Sequence, residues 1–94
     1  LDAMTRDQLH LEILRIRSET KFSALMVTHN VFEAVFLADR VVVMGEKPGR
    51  ILGEIKVGLE YPRNLKILST AVFAGLVGAV QDLLEQGWSG YHEA

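Results

Sequence analysis

The feature that most constrains the fold is a short apolar run that stops at a histidine. Residues 25–28 read Leu-Met-Val-Thr, and His29 and Asn30 follow at once. A helical pattern over residues 31–39 then leads into a second apolar run, residues 40–44. Largely apolar runs on both sides of a helical pattern are typical of strands buried in a parallel sheet. The pattern predicts a strand–helix–strand unit with His29 at the carboxyl end of its first strand, where ligands gather in such sheets.

A long amphipathic segment precedes this unit. Helical spacing predicts a helix over residues 3–19, with Asp2 as its N-cap. Thr5 with Gln8 is a competing capping-box start. The charged positions of this helix are expected to face water. Its predicted apolar stripe consists of Leu9, Ile13 and Ile16, with Met4 and Leu14 nearby.

The first strand is expected over residues 22–28, and the helix after it over residues 31–38, with Thr28 or Asn30 as its cap. Glu33 falls in the first turn of that helix, where a carboxylate suits the helix dipole. The next strand is followed by a turn rich in glycine and proline, and residues 50–57 then alternate between apolar and polar. This pattern predicts an antiparallel hairpin at a sheet edge.

The C-terminal part contains a second long helix, predicted over residues 65–86 after a linker broken by Pro62. Gly75 and Gly78 lower helix stability and suggest close packing against a neighbour. So broad an apolar face needs cover on more than one side, which predicts a partner segment or self-association through this helix. Its main stripe is Leu65, Leu68, Val72, Leu76, Val80 and Leu83, widened by Ile67, Phe73, Val77 and Leu84.

The fold class predicted from these elements is α/β, in the order helix, strand, helix, strand, strand, helix. The first two strands are expected to be parallel neighbours in a larger sheet. The chain has 94 residues and begins without methionine, so we expect a piece of a longer protein. A net charge of −2 argues against a dedicated nucleic-acid binder, and the absence of cysteine excludes disulfides and zinc-thiolate sites. His10 and His92 are expected on the surface, and no metal site is predicted.

Four segments together resemble the C-terminal part of the nucleotide-binding subunit of an ABC transporter. They are Leu1-Asp2-Ala3-Met4-Thr5-Arg6, Leu25-Met26-Val27-Thr28-His29, Glu33-Ala34 and Leu37-Ala38-Asp39-Arg40-Val41-Val42-Val43-Met44. Two more, Pro48-Gly49-Arg50-Ile51 and Tyr61-Pro62-Arg63, resemble the branch that imports nitrate, sulfonates, taurine or related small anions. The resemblance implies part of a P-loop NTPase domain. Residues 1–64 would run from the D-loop through the H-loop to an edge hairpin, and residues 65–94 would form a C-terminal helix and tail. That last helix fits only in position, since the family carries more charge there.

The resemblance implies two site residues. His29 corresponds to the switch histidine of the H-loop, which contacts the γ-phosphate and helps to place the attacking water. Asp2 corresponds to the end of the D-loop, at the interface between two ATPase subunits. The family often has aspartate where Asn30 stands here, which keeps a helix cap but changes the local charge. The implied cofactors and partners are ATP with Mg²⁺, a second ATPase subunit and permease subunits at the cytoplasmic face of a membrane.

Several parts of the ATP site have no counterpart in the 94 residues. The sequence contains no G-x-x-x-x-G-K-S/T phosphate loop, no LSGGQ-type signature and no apolar run that ends in Asp-Glu. We therefore expect this stretch alone to bind no nucleotide and to be inactive as an ATPase. The alternative is a freestanding small α/β interaction or regulatory module without ATPase activity.

Overall fold

A computed structural model of the chain describes residues 2–20, 23–47, 49–61 and 63–88. Within them, three α-helices and a two-stranded antiparallel sheet surround a single apolar core. None of these helices is both long enough and apolar enough to span a bilayer. The elements in chain order are α1 (Ala3–Thr20), α2 (Val31–Leu37), β1 (Arg40–Met44), β2 (Ile51–Lys56), a 3₁₀ turn (Leu65–Ser69) and α3 (Ala71–Gly87).

Helix α1 begins as the sequence predicts. The Thr5 backbone N–H donates to Oδ1 of Asp2 at 2.7 Å, so Asp2 is the N-cap. The buried face of the helix differs from the prediction: His10 and Leu14 are buried, whereas Leu9 is 48% exposed. The reason is that α1 packs mainly against the short helix α2, which covers only a narrow stripe of α1. His10 lies in this stripe, where its polar partner is Glu33 of α2. The expectation that His10 lies on the surface is therefore wrong, and His92 lies outside the described residues.

The strand predicted over residues 22–28 is not formed at residues 23–28, and residue 22 lies outside the described residues. Residues 23–28 have no regular secondary structure, and Leu25 and Val27 are 95% and 90% exposed. A strand needs a hydrogen-bonded neighbour, and the one strand pair within the described residues joins β1 to β2. The predicted parallel pair is therefore absent from the part of the chain that the structure describes, where the element order is helix, helix, strand, strand, 3₁₀ turn, helix.

The antiparallel hairpin is formed as predicted. Arg40 pairs with Lys56 and Val43 with Gly53, and an irregularity follows between Val43 and Met44. The hairpin turn closes with the Gly45 N–H donating to the Arg50 carbonyl at 2.7 Å. Strand β1 is buried on one face only, because its second face has no cover from other described residues. The sequence predicts a buried strand here, and burial is limited to alternate residues.

The predicted C-terminal helix is split at Thr70. Thr70 has extended backbone (φ −86°, ψ 153°), and its hydroxyl accepts from the Phe73 N–H at 3.2 Å, which makes it the N-cap of α3. The split turns part of the predicted stripe away from the core, so Leu65, Leu68 and Val72 are 40–63% exposed. A side chain added at Gly75 or Gly78 would meet no described neighbour, contrary to the close packing expected there. The core consists of Leu14, Val35, Phe36, Val41, Val43, Val57, Phe73, Val77 and Val80.

Candidate functional site

His29 lies in an exposed turn immediately before α2. Local hydrogen bonds define this turn. The Thr28 hydroxyl accepts from the Asn30 N–H at 3.0 Å, and Oδ1 of Asn30 accepts from the Glu33 N–H at 3.1 Å as the N-cap of α2. Hydrogen bonds therefore hold both residues that flank His29, and His29 itself is exposed to solvent.

The Glu33 carboxylate lies behind this turn. It accepts a hydrogen bond from Nε2 of His10 at 2.7 Å, and the Thr28 hydroxyl also interacts with it. The Thr28 hydroxyl, together with His10 and the nearby Arg6 charge, holds the pKa of Glu33 below its ordinary value despite partial burial. Glu33 is therefore an ionised acceptor at neutral pH, and the prediction of a simple first-turn acid misses its contact with α1.

A small cleft of about 140 Å³ opens between α1, α2 and the 3₁₀ turn. Its lining is mixed, with the apolar side chains of Phe32, Phe36 and Leu68 beside polar groups. His29 is not among its lining residues, whereas its neighbour Asn30 is. At this size the cleft admits a few water molecules and no nucleotide. The polar lining residues are Arg6, Asp7, His10, Asn30 and Glu33.

Asp2 lies at the N-terminal end of α1 and is exposed to solvent. The backbone N–H of Thr5 is the main cause that lowers the pKa of Asp2, so the carboxylate is ionised and complements the helix N-terminus. Asp2 precedes His10 by about 12 Å of helix axis. The two predicted site residues, Asp2 and His29, are thus connected through α1, the His10–Glu33 contact and the first turn of α2.

The described residues do not form a complete nucleotide site. Among them no group of three His, Asp or Glu side chains is arranged to hold a metal ion. A magnesium–nucleotide complex also needs a phosphate-binding loop and carboxylate or hydroxyl ligands, and the 94-residue sequence has no such loop. His29 is suited to one contact with a phosphate oxygen, because an exposed imidazole N–H is a hydrogen-bond donor.

No family model matches the chain. Curated proteins do match it. An uncharacterised ABC transporter ATP-binding protein of Methanocaldococcus jannaschii is 50% identical over 64 residues, 68% of this chain and 24% of that protein. The aliphatic sulfonates import ATP-binding protein SsuB 1 of Xanthomonas axonopodis pv. citri is 44% identical over 84 residues, 89% of this chain and 32% of that protein. The chain is homologous to the ATP-binding proteins of ABC transporters. A second sulfonate import protein, SsuB 2 of Pseudomonas syringae pv. tomato, is 45% identical over 64 residues, 68% of this chain and 28% of that protein.

The chain spans about a quarter to a third of the length of these ABC ATP-binding proteins. The 84-residue match is long enough that it includes part of α3, for which the resemblance predicted a match in position only. Sequence reasoning missed the His10–Glu33 contact. The available signal was the spacing of His10, Leu14 and Arg17, which places all three side chains on one face of α1.

Proposed function

We propose that these 94 residues are part of the ATP-hydrolysing subunit of an ABC importer for a small anion of the nitrate, sulfonate or taurine type. The observation that carries the proposal is the similarity to sulfonate import ATP-binding proteins at 44–45% identity. The exposed Thr28–His29–Asn30 turn supports it, because a phosphate contact requires an accessible imidazole. Tyr61 and Arg63, from the motif that resembles this branch, help to hold α2, the helix that follows His29.

His29 acts as a hydrogen-bond donor to the γ-phosphate of ATP in this proposal. Charge spreads over the phosphate oxygens as the transferred group leaves, so a fixed donor at that point lowers the barrier more than it strengthens ground-state binding. Asp2 lies at the contact between two ATPase subunits, which hold ATP between them. Mg²⁺, when bound, would neutralise charge on the phosphates, and no group of side chains among the described residues is arranged to hold it.

The partners that follow are a second ATPase subunit and the permease subunits, at the cytoplasmic face of a membrane. The anion passes through the permease, so the residues described here do not select it. The stretch alone lacks a phosphate loop, a signature sequence and an Asp-Glu strand, and we propose that it does not hydrolyse ATP by itself.

The test uses the full-length subunit assembled with its permease. His29→Ala should lower ATP turnover by about 100- to 1,000-fold, in the range for loss of one transition-state donor. The affinity for ATP should change little. His92→Ala is the matched control, because the resemblance assigns that histidine no role. Turnover that survives His29→Ala would show that the switch assignment is wrong.

A freestanding interaction module remains the rival function, and one observation favours it. Leu65, Leu68 and Val72 leave an apolar surface exposed beside α3, as self-association through this region would require.

Calorimetric titration of the 94-residue chain should detect no ATP binding, and millimolar or tighter binding would contradict our interpretation of the missing phosphate loop. Sedimentation of Val72→Lys against wild type tests self-association directly. An unchanged monomer–dimer equilibrium would remove the reason for the rival.

A further inference from the structure

Both neighbours of His29 interact with one residue. The Glu33 N–H donates to Oδ1 of Asn30 at 3.1 Å, and the Thr28 hydroxyl interacts with the Glu33 carboxylate, whose pKa it lowers. The Thr28 hydroxyl also accepts from the Asn30 N–H at 3.0 Å. Glu33 therefore contacts the residue on each side of His29.

Glu33 is itself fixed from α1. Nε2 of His10 donates to Oε2 of Glu33 at 2.7 Å, and the side chains of the pair are 8% and 21% exposed. The His10 ring meets the ring of Phe36 edge to face, with centroids 6.3 Å apart, so apolar packing fixes its orientation. A hydrogen bond to a carboxylate in such a sheltered position is stronger than one in water.

We propose that Glu33 and His10 are positioning residues for His29. Glu33 holds the turn that presents the imidazole, and His10 fixes Glu33 to the helix that begins at Asp2. The α1 face thus fixes the orientation of the switch histidine relative to the D-loop residue. This inference rests on the proposed function for its effect on ATP hydrolysis, whereas its structural part, the control of the turn by Glu33 and His10, does not.

Two charged side chains of α1 lie near the pair. Arg6 acts on Glu33 through its charge, and Asp7 lines the same cleft. The 3₁₀ turn contributes only the apolar Leu68 to this cleft. Because Arg6 also attracts Glu33, loss of His10 alone leaves the carboxylate with the Arg6 cation nearby, and we expect His10 variants to have a smaller effect than Glu33 variants.

The kinetic test compares variants in the full-length subunit with its permease. Glu33→Ala should lower kcat by about 10- to 100-fold with little change in the KM for ATP, the range expected when a reacting group is misplaced. His10→Leu should act in the same direction, and His10→Gln should restore most of kcat because its side-chain N–H can replace Nε2. Glu12→Gln, in an exposed ion pair on the outer face of α1, is the matched control and should leave kcat unchanged.

A double variant separates positioning from general destabilisation. If Glu33 acts through His29, then Glu33→Ala should lower kcat no further in a His29→Ala background, because the positioned group is already gone. Additive losses would overturn the proposal. His29→Ala with wild-type turnover would instead contradict the proposed function, which keeps the two failures distinct.

Amide hydrogen exchange in the 94-residue chain tests the structural part without any ATPase assay. The Asn30 and Glu33 amides, which donate to Thr28 and Asn30, should exchange about tenfold faster in Glu33→Ala and His10→Leu than in wild type. Protection at Val43 in β1 reports whether each variant still folds. Unchanged exchange at Asn30 and Glu33 in variants that retain protection at Val43 would show that the pair does not hold the turn.

Discussion

Nη1 of Arg63 donates to the carbonyl oxygen of Ala38, the C-cap residue of α2, at 2.9 Å. It also donates to the Phe36 carbonyl at 3.0 Å, and Nη2 donates to the Leu59 carbonyl at 2.9 Å. Helix α2 has only seven residues, too few to be stable alone. Arg63 therefore binds carbonyls at the C-terminal end of α2, and Asn30 accepts from the N–H of Glu33 at the start of the same helix. The helix that follows His29 is anchored at both ends by side chains.

Replacement of Arg63 should destabilise the chain strongly. Arg63→Met keeps the apolar stem but leaves three carbonyls without their donor, and we expect a loss of about 2–4 kcal/mol in the free energy of unfolding. Urea unfolding followed by Trp88 fluorescence measures it, because the Trp88 indole donates to the Met44 carbonyl in the folded chain. Lys66→Met, at an exposed position, is the control. A change below about 0.5 kcal/mol for Arg63→Met would refute the anchoring role.

Tyr61 should control the titration of Asp39. The Tyr61 hydroxyl donates to Oδ1 of Asp39 at 2.8 Å and is the largest cause that lowers the Asp39 pKa, followed by Arg17. Tyr61→Phe should therefore raise the pKa of Asp39 toward its ordinary value, and Arg17→Gln should raise it less. Carboxyl-carbon NMR titration measures both shifts. An Asp39 pKa that does not change in Tyr61→Phe would contradict the hydrogen bond.

The same pair gives a stability prediction with a defined sign. A carboxyl whose folded pKa is lowered stabilises the fold above its unfolded pKa, and that stability is lost as pH falls through the folded value. Tyr61→Phe should thus cost about 0.5–1 kcal/mol at pH 7, a modest figure because the Asp39 side chain is 55% exposed and screened by solvent. Below the folded pKa of Asp39 the cost should shrink, since the protonated carboxyl no longer favours the pair. If the cost of Tyr61→Phe instead grows toward low pH, Tyr61 does not stabilise the ionised form of Asp39.

Elements whose ends are set by local chemistry were predictable from the sequence. Asp2 and Asn30 cap their helices because short polar side chains reach the free N–H groups of a first turn. The glycines of the hairpin turn are an equally local signal, because glycine favours turns through its own backbone. Thr70 was also a local signal, because threonine is a common N-cap residue. The apolar stripe nevertheless predicted one helix through Thr70, since the stripe continues on both sides of that residue.

Features that depend on a distant partner were not predictable in this way. An apolar run forms a strand only beside another strand, and residues 23–28 have none among the described residues. Periodicity likewise places apolar positions on a helix face but does not show that His10 meets a carboxylate from α2. For the site, resemblance led to His29 and Asp2, whereas the Glu33 contacts that hold the His29 turn emerged only from the packing.

Residues 23–28 should tolerate polar substitution. Val27 is 90% exposed, so Val27→Thr should change the free energy of unfolding of the 94-residue chain by no more than about 0.5 kcal/mol. Val43→Thr is the matched comparison. Val43 is 4% exposed in β1, and a hydroxyl there should cost about 1–3 kcal/mol because it finds no water. Equal costs at the two positions would indicate that residues 23–28 form a buried strand after all.

The approach of α3 to the hairpin predicts opposite effects at two glycines of one helix. A Cβ at Gly87 would lie 2.8 Å from Cγ of Leu52, so Gly87→Ala should destabilise the chain by about 1–3 kcal/mol. At Gly75 a Cβ would meet none of the described residues, and Gly75→Ala should stabilise the chain by about 0.5–1 kcal/mol through helix propensity. Thermal unfolding of both variants, alone and with Leu52→Ala, is the measurement. Leu52→Ala should relieve the Gly87→Ala loss and leave the Gly75→Ala gain unchanged; a gain at both glycines would mean that β2 does not pack on the end of α3.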